Sequence, residues 1–203
     1  MKIICIGRNY IDHAKELNNP VPAKPVFFLK PDTALVIRNR PFFLPDFSEE
    51  VHHELEVVIR INRLGKSIDE AFAGRYFDGI GLGIDFTARD LQAEAKQKGL
   101  PWEIAKAFDY SAPVSRFLDT GKYGDLHKLS FRLDINGKTV QEGNTADMIF
   151  SFERIIAYVS RFMTLKTGDL IFTGTPAGVG PVKTGDRLQA WLEDEKLLDF
   201  PVK

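Results

Sequence analysis

A chain of 203 residues, 44% of them hydrophobic, can fill one sizeable core and is short for two, so a single domain over residues 1–203 is expected. Its 27 Lys and Arg nearly cancel its 28 Asp and Glu, which leaves no surplus field to draw the chain to nucleic acid or to an anionic membrane surface. The partner class that remains is a small molecule or another protein.

The opening "MKIICIGRNY" carries an apolar run too brief for a signal peptide or a membrane span, and the lone Cys5 within it reads as a small buried hydrophobe. No disulfide can close within one chain, so a soluble, reducing, cytoplasmic setting is expected. "KIICIG" reads as a strand, and "NYIDHAKELN" as a short helix or helical lid, with Tyr10, Ala14 and Leu17 at helical spacing and Asn18, Asn19 and Pro20 ending it. The prolines and short aromatic runs of "PVPAKPVFFLKPDTAL" and "RPFFLPDF" suit edge strands and ordered loops. "VHHELEVVIRIN" is a strand and "IDEAFAGRYF" a helix. "ARDLQAEAKQKG" is a second helix, stopped at Gly99. Asn136-Gly137 inside "KLSFRLDINGKTVQEGN" is a strong hairpin signal, and residues 147–163 form an amphipathic helix capped by Asp147 or Ser151. The tail returns to strands around the loop "FTGTPAGVGP". Strands outnumber helices and interleave irregularly with them, which predicts an α+β, β-rich fold with a mixed or antiparallel sheet.

Two acids stand inside the strand 51–62. Residues two apart share a strand face, so Glu54 and Glu56 lie side by side, where their repulsion calls either for a bound cation or for an acidic face in water. Asp85 ends the apolar, glycine-rich run "GIGLGID" and needs a partner if that run is buried. Three carboxylates without thiolate make an all-oxygen site that suits Mg²⁺ or Mn²⁺ better than Zn²⁺. Of the adjacent His52 and His53, only His52 shares the acids' face, where contact with the acids is expected rather than ligation.

Other segments carry weaker signals. His13 and Glu16, one helical turn apart, are either a base with its orienting acid or part of an ordinary exposed helix. Lys106, flanked by Ile104, Ala105 and Phe108, either snorkels to water or stabilises an anion. Arg89 and Gln92 are spaced to hold a carboxylate. The loop with Thr173 and Thr175 is an anion-binding candidate or a plain turn. It is neither a P-loop, since Pro181, Val182 and Lys183 follow Gly180, nor a dinucleotide fingerprint.

Taken together, "GRNYIDHAKEL", "KPVFFLKP", "HHELE", "DFTARDLQ", "KGLPWEIAKAFD", "NGKTVQEGNTADMIFS" and "GDLIFTGTPAGVGPVKTGD" resemble the fumarylacetoacetate hydrolase family, in order and over nearly the whole chain. The resemblance is to its small acylpyruvate hydrolase and oxaloacetate decarboxylase group. It implies a β-rich roll with a mixed sheet, a homodimer, and Mg²⁺ or Mn²⁺ held by Glu54, Glu56 and Asp85. It further implies a dyad of His13 and Glu16 on a lid, Lys106 against the substrate, and Arg89, Gln92 and Thr175 lining the pocket. The substrate implied is a small 2-oxo acid. Hydrolysis of acylpyruvates to pyruvate is the leading expectation. Oxaloacetate decarboxylation or keto–enol tautomerisation, or isomerisation and decarboxylation of 2-hydroxyhepta-2,4-diene-1,7-dioate, is the alternative. A metal-stabilised binding module without turnover is the reading from another class.

Overall fold

The structure is a computed structural model, and it describes residues 1–16 and 21–203, with the side chains of residues 13–15 also outside the description. Its largest sheet has six strands in the order Val26–Lys30, Ile3–Gly7, Leu170–Phe172, Leu55–Ile61, Phe77–Ile84 and Leu118–Asp119. Ile3–Gly7 runs parallel to Leu170–Phe172 and every other neighbouring pair is antiparallel, so the sheet is mixed as expected. A four-stranded antiparallel sheet follows the order Lys138–Asn144, Ser130–Ile135, Arg187–Leu192 and Glu195–Pro201. Apolar residues of both sheets, among them Ile59, Leu82, Leu133 and Ala190, form one buried cluster with the inner face of the helix Phe152–Ser160. Among the described residues no helix is long and apolar enough to cross a membrane.

Local chemistry explains most element boundaries. Asn136 and Gly137 adopt φ of 53° and 79°, the left-handed pair that a tight hairpin turn demands. The helix Arg89–Lys98 ends where Gly99 takes φ of 65°, as the sequence predicts. The expected helix over 147–163 is shorter, because residues 145–147 form a separate 3₁₀ turn. Ser151, not Asp147, caps Phe152–Ser160 by accepting from the Arg154 N–H at 3.2 Å. The helix expected in "IDEAFAGRYF" runs only from Glu70 to Ala73, passes into a 3₁₀ turn and gives way to a strand at Phe77. Near the N-terminus the helix is Ile11–Glu16. Tyr10 precedes it and bridges to Met148, while the expected end of that helix at residues 17–20 lies outside the described residues.

The expected strand 51–62 is two strands. Val51–His53 pairs with Thr87–Ala88 and Gly180–Pro181, whereas Leu55–Ile61 belongs to the large sheet, and Glu54 sits at the break between them. This handover gathers three segments around one cleft: the 51–56 chain, residues 85–89, and the glycine-rich loop.

Candidate active site

Glu54, Glu56 and Asp85 are 6%, 2% and 1% exposed, and each offers an oxygen within 4.8 Å of the others. The backbone sets this spacing. The Asp85 N–H donates to the Glu54 carbonyl at 2.8 Å, and Phe86 anchors the next position in an aromatic stack with Phe42, ring centroids 3.7 Å apart. Glu56 stands in register with Gly83 on the neighbouring strand.

Cations surround two of the three acids. Lys106, buried where the sequence left it free to snorkel, donates from Nζ to Glu54 Oε2 at 2.9 Å, Asp85 Oδ2 at 2.8 Å and Thr87 Oγ1 at 2.5 Å. Burial opposes its charge, but Asp85 and Glu54 outweigh that and hold its pKa above the usual lysine value. Arg89 bridges Glu54 Oε1 at 2.6 Å and Gln92 Oε1 at 2.7 Å, so the two helix residues one turn apart work as a unit. Lys30, fully buried, lies 2.8 Å from Asp85 Oδ1. Glu56 instead receives the Gly174 N–H at 2.6 Å, and burial, with Asp85 and Glu54 beside it, pushes its carboxyl well above the usual range.

The donor set fits a divalent cation. All three groups are oxygen donors, they converge, and the buried Asp85 Oδ1 has no hydrogen-bond partner, because its ion pair with Lys30 lacks hydrogen-bond geometry. The histidines stay outside the cluster. His52 lies between Glu50, 2.7 Å from its Nε2, and Arg89, whose Nε donates to Nδ1 at 3.4 Å and whose guanidinium in turn holds Glu54. His53 is buried against Gln141 Oε1 at 2.9 Å, and burial lowers its pKa.

Gln141 was not legible as a site residue. Its Oε1 also accepts the Leu55 N–H at 2.9 Å, and its Nε2 donates to Thr175 Oγ1 at 2.9 Å and the Pro176 carbonyl at 3.1 Å. It therefore ties the break at Glu54 to the glycine-rich loop. A regular two-residue hairpin would set Val140 opposite Leu133, but a bulge shifts the register and sets Gln141 there instead, facing inward. Lys30 was missed as well. Its partners Asp85, Phe86, Lys106 and Ser111 all lie more than fifty positions away, and the only sequence signal is a lysine closing the apolar run "VFFLK".

The loop supplies two different threonines. Thr173 Oγ1 donates to the Val57 carbonyl at 2.9 Å and serves the fold, whereas Thr175 lines the cleft. Because Thr175 Oγ1 accepts from Gln141, its own proton remains to donate. Glu16 accepts the Gly178 N–H at 3.1 Å, which docks the N-terminal helix on this loop, while the side chain of its expected partner His13 lies outside the described residues.

The three acids floor a narrow cleft of about 40 Å³ whose walls include Arg8, Arg89, Gln92, Lys96, Lys106 and Thr175. Burial, then Arg89 and Arg8, lower the pKa of Lys96. A second cavity, about 760 Å³, is a mainly apolar hollow around Leu29, Phe47 and Ile104 that holds none of the three carboxylates.

A mitochondrial oxaloacetate tautomerase of Mus musculus is 47% identical over 201 residues, covering 99% of this chain and 91% of that protein. A mitochondrial oxaloacetate decarboxylase of Dictyostelium discoideum is 45% identical over 185 residues, covering 91% and 85%. The crystal structure of a fumarylpyruvate hydrolase from Pseudomonas aeruginosa, in complex with Mn²⁺ and pyruvate, superposes with a TM-score of 0.94 at 35% identity, covering 100% of this chain and 89% of that one. A family model described as fumarylacetoacetate (FAA) hydrolase C-terminal matches residues 2–200, and the chain belongs to that family.

Proposed function

We propose that the chain interconverts the enol and keto forms of oxaloacetate or a closely similar 2-oxo acid, with Mg²⁺ or Mn²⁺ held by Glu54, Glu56 and Asp85. The observation that carries this reading is the buried all-oxygen cluster with Lys106 against two of its acids, in a chain 47% and 45% identical to two proteins named for oxaloacetate chemistry. These relatives favour the alternative of the sequence reading over acylpyruvate hydrolysis, which the sequence placed first. Hydrolysis is kept as the second reading because of the fumarylpyruvate hydrolase likeness.

When bound, the ion supplies positive charge where the 2-oxo oxygen turns anionic in an enolate-type transition state. The chain's own residues do the rest. Lys106 keeps its proton and adds a fixed charge beside that oxygen. Thr175 donates its hydroxyl proton to the adjoining carboxylate, and Gln92 offers its amide hydrogens while its oxygen is occupied by Arg89. Tautomerisation places a proton on C3 as the enol's 2-oxygen gives one up to solvent, or the reverse, and the transfer at C3 is assigned to His13, with Glu16 as its orienting acid. The burial of Lys106 and the low exposure of the acids exclude bulk water, which strengthens these interactions.

Two chains are proposed to pair through the edge strand Val26–Lys30, which exposes Val26 and Leu29 beside exposed Phe47 and Ile104. A sedimenting species of monomer mass alone would remove that part of the reading. The main test is ultraviolet decay of freshly dissolved enol-oxaloacetate, with and without Mg²⁺ or Mn²⁺ and with excess chelator. Metal-dependent acceleration is expected; decay no faster than in buffer, under every metal condition, overturns the tautomerase assignment.

A further inference from the structure

Resting on that reading, we infer that Arg8 and Lys96 form a subsite for the second carboxylate of a dicarboxylic 2-oxo acid, so that the cleft selects diacids over monoacids of the same reacting atoms. Every other cation at the site is committed. Arg89 holds Glu54, Lys106 holds Glu54 and Asp85, and Lys30 holds Asp85. Arg8 and Lys96 line the same cleft, yet among the described residues neither has a carboxylate partner. The Lys96 ammonium rests over the Trp102 ring, 5.7 Å from its centroid.

The backbone presents Arg8 at a cost. Its φ is 60°, a region that a non-glycine residue occupies only when its surroundings impose it. They do so through Asn9, which is fully buried. Its Nδ2 donates to the Phe150 and Thr173 carbonyls at 3.0 and 2.7 Å, its Oδ1 accepts the Phe150 N–H at 2.8 Å, and its carbonyl accepts the Ile149 N–H at 2.8 Å. Gly174 allows this approach, because a Cβ there would lie 2.6 Å from the Asn9 Cβ. The clamp that aims Gly174 N–H at Glu56 thus also fixes the turn from which Arg8 projects. Lys96 lies four residues after Gln92 and seven after Arg89, on the same helix face.

Charge and size point to the same ligand. Arg8, Lys30, Arg89, Lys96 and Lys106 stand against three carboxylates at the site, so a bound divalent ion leaves four positive charges over. A monoacid neutralises one of them and a diacid two. The floor residues are nearly fully buried whereas Lys96 is exposed and Arg8 half-buried, so a four-carbon acid entering a 40 Å³ cleft must displace these two long side chains and meet their charges.

The test compares enol-oxaloacetate with its C4 monomethyl ester, which keeps the reacting atoms and loses the far charge. Arg8→Asn, chosen because Asn tolerates positive φ, and Lys96→Met should each lower kcat/KM for the diacid about tenfold, mainly through KM, and change the ester much less. Lys96→Arg should restore most of the diacid preference. Equal losses on both substrates, or none on the diacid, overturn the subsite. Titration of Mn²⁺-loaded protein with malate and with lactate reads the subsite without turnover. Malate should bind the wild type more tightly and lose that advantage in the Arg8→Asn, Lys96→Met double variant. Malate binding no tighter than lactate overturns the inference even where turnover is seen, and tighter malate binding with no turnover of oxaloacetate overturns the tautomerase reading alone.

Discussion

Replacing Lys30 with Met tests how the acidic cluster is held together. Met fills nearly the same unbranched volume and removes only the ammonium. That group has an ion pair with Asp85 at 2.8 Å, donates to Ser111 Oγ at 2.9 Å and to the Phe86 and Ser111 carbonyls at 3.3 Å each, and also contacts the Lys106 carbonyl. Removing one partner of a buried pair costs about 3–5 kcal/mol, because the other charge stays behind without compensation. Lys106 still donates to the second Asp85 oxygen at 2.8 Å, which places the expected loss near the lower end, ~3 kcal/mol. Asp85→Asn added to Lys30→Met removes the stranded charge, so the double variant should be more stable than the sum of single losses by about 2 kcal/mol or more. Equilibrium urea unfolding followed by circular dichroism, in chelator and at one protein concentration, measures all four proteins. A loss under about 1 kcal/mol for Lys30→Met, or additive single effects, would refute the view that Lys30 is the resident counter-charge of Asp85.

Burial, with Asp85 and Glu54 beside it, raises the Glu56 carboxyl well above the usual carboxylate range, so a metal ion there competes with its proton. Mn²⁺ affinity should therefore be full above that raised pKa and fall as pH drops through it, with proton release visible as buffer-dependent heats in titration calorimetry; heats independent of the buffer count against this. Gln141→Leu leaves the Leu55 N–H and His53 without their partner, so a stability loss of ~2–4 kcal/mol and a raised KM are expected, and an unchanged urea midpoint contradicts the bridging role. Gly174→Ala adds a Cβ 2.6 Å from the Asn9 Cβ at φ of 105°, which should lower the thermal midpoint by several degrees and weaken Mn²⁺ binding through Glu56; wild-type values for both would remove Gly174 from the argument.

Much of this was written in short-range pattern. The Asn136-Gly137 turn and the Gly99 stop need only their own dihedral preferences, and they appear where the sequence places them. The three carboxylates were legible because an acid in an apolar run is a local contradiction, whatever the fold. The break at Glu54 was not legible, since Gln141, which a bulge turns inward, holds the Leu55 N–H from 86 residues away. The buried ammonium of Lys30 was hidden for the same reason, its partners being brought together only by the finished fold. The chemistry assigned to the site depends on charge stabilisation common to hydrolysis, decarboxylation and tautomerisation, so the sequence put hydrolysis first with no residue that excludes the others, and the names of the relatives favour the oxaloacetate alternative.

The two buried lysines give the acidic cluster a property that a bare trio of carboxylates lacks. In small zinc domains the metal is the folding nucleus, and its loss is denaturation. Here Lys30 and Lys106 already neutralise Asp85 and Glu54, so the protein carries its own placeholder charge. Divalent ions can be exchanged against an intact scaffold. Under the proposed metal dependence, a fluctuating supply of Mg²⁺ or Mn²⁺ should tune how fast the protein works without unfolding it.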